Sequence, residues 1–244
     1  MNQPVTAKKI LVLKLSSLGD VLASTPLFRI IKEQKPDAEI DHLVMEHCAV
    51  ATESNPYIRK QILSPFFPTG KLFKDVRTLI KLIAILRRNK YDLAIILHRH
   101  WLFQILCKLS RIQRLIGFES SRNFFLDKTL RYRFDRQRTI QELHVLELAG
   151  FELTEPEALE FYIDPLKVKS EIRSQLPDRY IACNPGGGNP HAPATNRIWP
   201  FEKYVRLFRE IGMPVVLLGK GPEDEVLGAQ ISSASEVGVP VTNM

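Results

Sequence analysis

Lys9-Ile10-Leu11-Val12-Leu13-Lys14-Leu15-Ser16-Ser17-Leu18-Gly19-Asp20 decides how this chain folds. Its first seven residues run through large aliphatic side chains with no polar alternation, the pattern of a parallel strand covered on both faces. A tight turn follows at 16–20, then a helical stretch predicted to continue to about residue 35. Strand, turn and helix in that order make the opening unit of a doubly wound α/β sheet.

Further along, the spacing predicts strands over 40–45, 61–63, 92–97 and 114–118 and helices over 72–88, 100–110 and 139–150, with Gly150 closing the last. In the 72–88 helix, Leu72, Val76, Leu79, Ile80, Ile83 and Leu86 are expected to share the core-facing side. The polar, turn-rich Thr154-Glu155-Pro156-Glu157 interrupts this rhythm and marks a boundary between a first domain, 1–160, and a second, 161–244. In the second, strands are expected over 179–184 and 214–219 and helices over 200–211 and 222–233, with Pro200 in a first turn. Only two or three strand–helix units fit there, so this domain is expected to be incomplete.

Composition narrows the class. The 244 residues are 45% hydrophobic and 25% charged, which is ordinary for a globular protein. A net charge of +7 favours an anionic partner or merely keeps the protein soluble. Cys48, Cys107 and Cys183 form no CxxC pair, so neither a zinc site nor a disulfide framework is expected, and a cytoplasmic location fits. Lys14 cuts the apolar 10–13 run far short of a secretory h-region, and no apolar stretch reaches bilayer length. Work at a membrane would be peripheral.

Ligands of open α/β sheets bind beyond the carboxyl ends of the strands. Three turns have that address. In the first, Ser16, Ser17 and Gly19 surround a possible approach to the backbone, and Asp20 is a candidate general base; Ser and Asp there also suit ordinary helix capping. The second carries Gly186 and Gly187, with Thr195 and Arg197 following. Its glycines can cradle a diphosphate that Arg197 neutralises, or they form a plain surface loop. The third offers Glu223 to a ribose, or to a helix N-terminus. The pattern is not GxGxxG, so NAD is disfavoured, and His42 to His47 is one residue too long for a zinc motif; no metal is assigned. The basic, aromatic stretch His98-Arg99-His100-Trp101 fits an anionic acceptor as well as nucleic acid.

Taken together, Ile10 to Leu22, Asn184-Pro185-Gly186, Arg197-Ile198-Trp199-Pro200 and Val215-Val216-Leu217-Leu218-Gly219 resemble glycosyltransferase family 9, the ADP-heptose:lipopolysaccharide heptosyltransferases. Tyr91-Asp92-Leu93-Ala94 and Leu115-Ile116-Gly117-Phe118 are weaker points of likeness. The resemblance implies a GT-B fold of two Rossmann-like domains, with acceptor on the first and nucleotide sugar on the second. It implies inverting transfer of heptose from ADP-heptose or a similar donor, with no metal and no cofactor. The acceptor would be an anionic glycolipid at the cytoplasmic face of the inner membrane, and nucleic acid is not an expected partner. Asp20 matches the family's base, Arg197 stands where the family has Lys, and Glu223 lies near its ribose-binding acid, with Asp224 and Glu225 leaving that register open. The family's D-[ST]-G-x-x-H segment does not occur before Met244, so an inactive sugar-nucleotide-binding module is the alternative expectation.

Overall fold

The structure is a computed structural model that describes residues 7–15, 17–65, 68–153, 158–167, 170–186, 198–219, 221–234 and 237–244. The chain divides into two compact units, Met1–Asp164 and Pro165–Met244.

In the first unit, β1 (Lys9–Lys14), β2 (Glu39–Met45), β3 (Lys60–Ser64), β4 (Leu93–Ile96), β5 (Arg114–Phe118) and β6 (Lys128–Leu130) form one sheet in the order β3-β2-β1-β4-β5-β6. Every pairing is parallel. This is the doubly wound order, with the chain reversing direction across the sheet between β1 and β4. Ile10, Leu11, Val12 and Leu13 are all fully buried. Leu11 and Leu13 pack on one face with Leu82, Leu86, Phe103 and Leu106, while Ile10 and Val12 pack on the other with Phe28, Ile31, Val145 and Leu146. Fully burying a side chain of this size contributes about 1.5–3 kcal/mol, so β1 is the spine of the unit.

Local chemistry fixes the ends of the central strands. The Asp92 carboxylate accepts hydrogen bonds from the backbone N–H groups of Lys8 and Lys9, both at 2.8 Å, and so sets where β1 begins beside β4. The buried Asp41 accepts a bidentate pair from Arg59 at 2.8 and 2.6 Å and a hydrogen bond from the Tyr91 hydroxyl.

The helix expected to reach residue 35 is two helices, α1 (Leu18–Leu22) and α2 (Thr25–Gln34). At the break, Ser24 Oγ donates to the Val21 carbonyl and Thr25 Oγ1 to that of Leu22, giving partners to carbonyls that a continuous helix would have used. α3 (Leu72–Asn89), α4 (Leu102–Leu109) and α5 (Arg138–Glu147) complete the layers. α3 buries only part of the side expected of it. Thr78, Leu82 and Leu86 face the core with Leu79 and Ile83 at its margin, whereas Leu72, Val76 and Ile80 are exposed.

The second unit has a parallel three-stranded sheet, β7 (Ile181–Cys183), β8 (Val215–Leu217) and β9 (Val241–Asn243), in that order. Its helices are α6 (Ser170–Ser174), α7 (Phe201–Ile211) and α8 (Pro222–Ser233). Pro200 caps α7 from outside instead of opening its first turn. Tyr204, Phe208, Val215, Leu217 and Ile231 form the core.

Gly117 on β5 has no room for a side chain, because a Cβ there would stand 2.3 Å from the Ile96 carbonyl oxygen on β4. Gly117→Ala is expected to lower the unfolding free energy by about 1–3 kcal/mol, as overpacked cores do. An unchanged urea midpoint would show that the two strands are not packed this closely.

Candidate functional site

The site is built where the sheet reverses direction, at the carboxyl ends of β1 and β4. β1 leads through Leu15 into α1, whose first turn carries Asp20. Ser17 occupies the N-cap without a side-chain capping bond, and the Asp20 carboxylate forms an ion pair with Arg138 instead of serving the helix end. Asp20 is 29% exposed, open enough to meet a ligand yet held by its partner.

Arg138 stands at the start of α5, and one helical turn later Glu142 lies on the same side. Glu142 reaches into the protein and pairs with Lys14, the last residue of β1; their side chains are 1% and 2% exposed. Burial pushes the Glu142 carboxyl above the usual carboxylate range, with Lys14 and Arg138 pulling the other way. From the end of β4, His98 Nε2 accepts the backbone N–H of Leu15 at 2.6 Å. That hydrogen bond places the imidazole proton on Nδ1 and requires a neutral ring. Desolvation first, and Lys14 second, lower the His98 pKa to about 3. Asp20, Arg138, Glu142 and Lys14 thus form one charged cluster around the turn that follows β1, with the neutral His98 ring beside it.

In the second unit, the turns after β7 and β8 meet over Asp224. A Cβ on Gly186 would fall 1.3 Å from Asp224 Oδ1, and one on Gly219 would fall 2.8 Å from Asp224 Cβ. With Asp224 in this place, neither position has room for a Cβ. Asp224 is buried in the first turn of α8, and Glu223 and Glu225 on each side of it are exposed. Tyr204 steadies the same loop by donating its hydroxyl to the Pro185 carbonyl at 2.7 Å.

No protein-family model matches the chain. Lipopolysaccharide heptosyltransferase 3 of Escherichia coli K12 is 25% identical over 245 aligned positions, covering 93% of this chain and 67% of that protein. The solved family 9 glycosyltransferase of Veillonella parvula superposes with a TM-score of 0.78 at 23% identity, over 100% of this chain and 71% of that one. The E. coli ADP-heptose lps heptosyltransferase II superposes with a TM-score of 0.76 at 20% identity, over 96% of this chain and 72% of that one. The chain is thus similar to lipopolysaccharide heptosyltransferases in sequence and to family 9 glycosyltransferases in fold. Its fold is the GT-B fold of those structures. It spans about two thirds of the length of these relatives, and a 33% identical match to another E. coli lipopolysaccharide heptosyltransferase 3 covers 26% of that protein.

Of the residues expected from the family pattern, Asp20, Ser17 and Gly19 lie together at the turn after β1, and Gly186 and Glu223 lie at the turns of the second unit. Gly19 has open space where a side chain would be. Ser16, Gly187, Thr195 and Arg197 fall outside the described residues. The acid packed against the glycines is Asp224, while Glu223 is turned outward. Arg99 of the basic, aromatic stretch is stacked over Tyr132 and Phe134, at 4.5 and 4.8 Å from the ring centroids. Arg138 and Glu142 were not legible as site residues, and His98 was marked only as part of the basic, aromatic 98–101 stretch. Lys14 was a clue, because a cation inside an otherwise apolar strand needs a buried partner.

His98 and the fully buried His42 both have folded pKa values of about 3, against 6.5 for an ordinary imidazole. Between those values the unfolded chain binds more protons, so folding stability is complete above about pH 6.5 and falls as the pH drops towards 3. The expected slope is at most about 1.4 kcal/mol per pH unit for each ring. Urea midpoints should be level from pH 7 to 8 and decline between pH 6.5 and 5, above the range of ordinary carboxylates. His42→Leu should reduce that slope; a level profile down to pH 5 would contradict the neutral, buried state of both rings.

Proposed function

We propose that this protein transfers a heptose, or a closely related sugar, from an ADP-sugar to a hydroxyl of an anionic lipopolysaccharide core acceptor. The first unit takes the acceptor and the second the nucleotide sugar. The observation that carries this reading is the Asp20 carboxylate, part-exposed at the carboxyl end of the central strand and held through one oxygen by Arg138. A carboxylate so placed suits removal of a proton from an attacking hydroxyl. The relatives' names supply the sugar and the acceptor class.

Chemically, the acceptor oxygen bonds to the anomeric carbon while the bond from that carbon to the diphosphate breaks. The electron pair leaves with ADP, and the acceptor proton passes to Asp20. One displacement inverts the anomeric centre. Charge developing on the departing diphosphate is met by the glycine turn around Gly186 and Gly187 and by Thr195 and Arg197, so no metal is required. In this reading Glu223, which like Glu225 is exposed while Asp224 is packed against the glycine turns, accepts hydrogen bonds from the ribose.

Asp20→Asn in the full-length protein is expected to lower kcat for ADP-heptose transfer by about 10²- to 10⁴-fold, the usual contribution of a general base. ADP affinity measured by calorimetry should stay unchanged, and a chelator should leave wild-type turnover intact. Wild-type turnover in the variant would remove Asp20 from the mechanism. ADP binding by the wild-type protein with no transfer would favour a nucleotide-sugar-binding module instead.

A further inference from the structure

α3 is apolar on two sides. One side, Thr78, Leu82 and Leu86, meets the core. The opposite side carries Phe73 and Ile80, which are 88% and 62% exposed, with Leu72 (80%) and Val76 next to them. At 100° per residue these four form a single stripe pointing away from the sheet. Scattered exposed apolar residues are ordinary, but a contiguous stripe along one helix marks an interaction surface.

Charge identifies the partner. Lys74, Arg77, Lys81 and Arg88 run beside the apolar stripe at spacings of three, four and seven residues, all exposed. Residues 71–90 hold Lys71, Lys74, Arg77, Lys81, Arg87, Arg88 and Lys90 against the single acid Asp75, a net +6 out of +7 for the whole chain. Asp75 does not offset the row. Its carboxylate is turned back onto the preceding loop, accepting from the Thr69 N–H and hydroxyl at 2.8 and 2.7 Å and from the Gly70 N–H at 3.0 Å. At the C-terminal end of the helix, Arg87, Lys90 and Arg111 line one open cleft and extend the basic border.

We infer that α3 is a membrane-surface helix, which lies along an anionic bilayer with Leu72, Phe73, Val76 and Ile80 dipped into the headgroup boundary and its cations on the lipid phosphates. An apolar stripe bordered by Lys and Arg is the pattern that binds such an interface, the apolar residues supplying insertion and the cations attraction. A protein partner would need a matching acidic rim; a second copy of this chain would set +6 against +6. The inference rests on α3 alone and is independent of the sugar-transfer reading.

Vesicle co-sedimentation of the 244-residue chain tests it. Binding is expected to vesicles containing phosphatidylglycerol, to be weak on phosphatidylcholine, and to fall at 0.5 M salt. Each cation near such a surface strengthens binding roughly fivefold, so Lys74→Gln/Arg77→Gln/Lys81→Gln should weaken it by about 10²-fold. Phe73→Asp/Ile80→Asp should weaken it by at least about tenfold, with the melting temperature unchanged because both side chains are exposed. The proposal is overturned if the wild-type chain ignores anionic vesicles, if either variant binds them as the wild type does, or if the apolar variant merely turns a dimer into a monomer.

Discussion

The buried ion pair between Lys14 and Glu142 is the constraint on which the rest of the first unit depends. Neither charge has access to water, and each is tolerable only because the other is there. The pair joins the last residue of the central strand to the middle of α5. Since Arg138 precedes Glu142 by one helical turn, fixing Glu142 also fixes Arg138 over the turn after β1, where it meets Asp20. A weakly held surface pair is thereby anchored to a core pair. The stability cost of two buried charges is offset by a defined position for one exposed carboxylate.

Sheet order explains why these groups meet where they do. With β1 and β4 adjacent and their connections leaving in opposite directions across the sheet, their carboxyl ends open onto a shared crevice. Leu15 follows one strand and His98 the other, and the hydrogen bond between them ties the two strand ends together. Lys14 also explains why both nearby histidines are held neutral, since its positive charge adds to desolvation in disfavouring a second proton on His42 or His98.

Much of the fold was legible because buried parallel strands announce themselves as unbroken aliphatic runs; 10–13 and 93–96 are of that kind. β6 and β9 were not, because three residues with mixed burial leave no period to read. α3 misled for a different reason. Two apolar stripes share one helix, and residue spacing cannot say which of them faces the sheet. At the site, the turn after β1 and its acid could be picked out from sequence, but Arg138 and Glu142 lie more than a hundred residues away, and only the fold brings them to Asp20 and Lys14. Likewise, three consecutive acids after Gly221 look equivalent on paper, and only the closeness of Gly186 and Gly219 singles out Asp224 as the buried one.

A double-mutant cycle on Lys14→Met and Glu142→Leu, followed by urea unfolding, tests the central constraint most directly. Each single substitution strands a buried charge and should cost roughly 3–5 kcal/mol, while the double variant should be more stable than either single one. Additive losses would contradict the account, because they would mean that the two side chains do not hold each other in the folded protein.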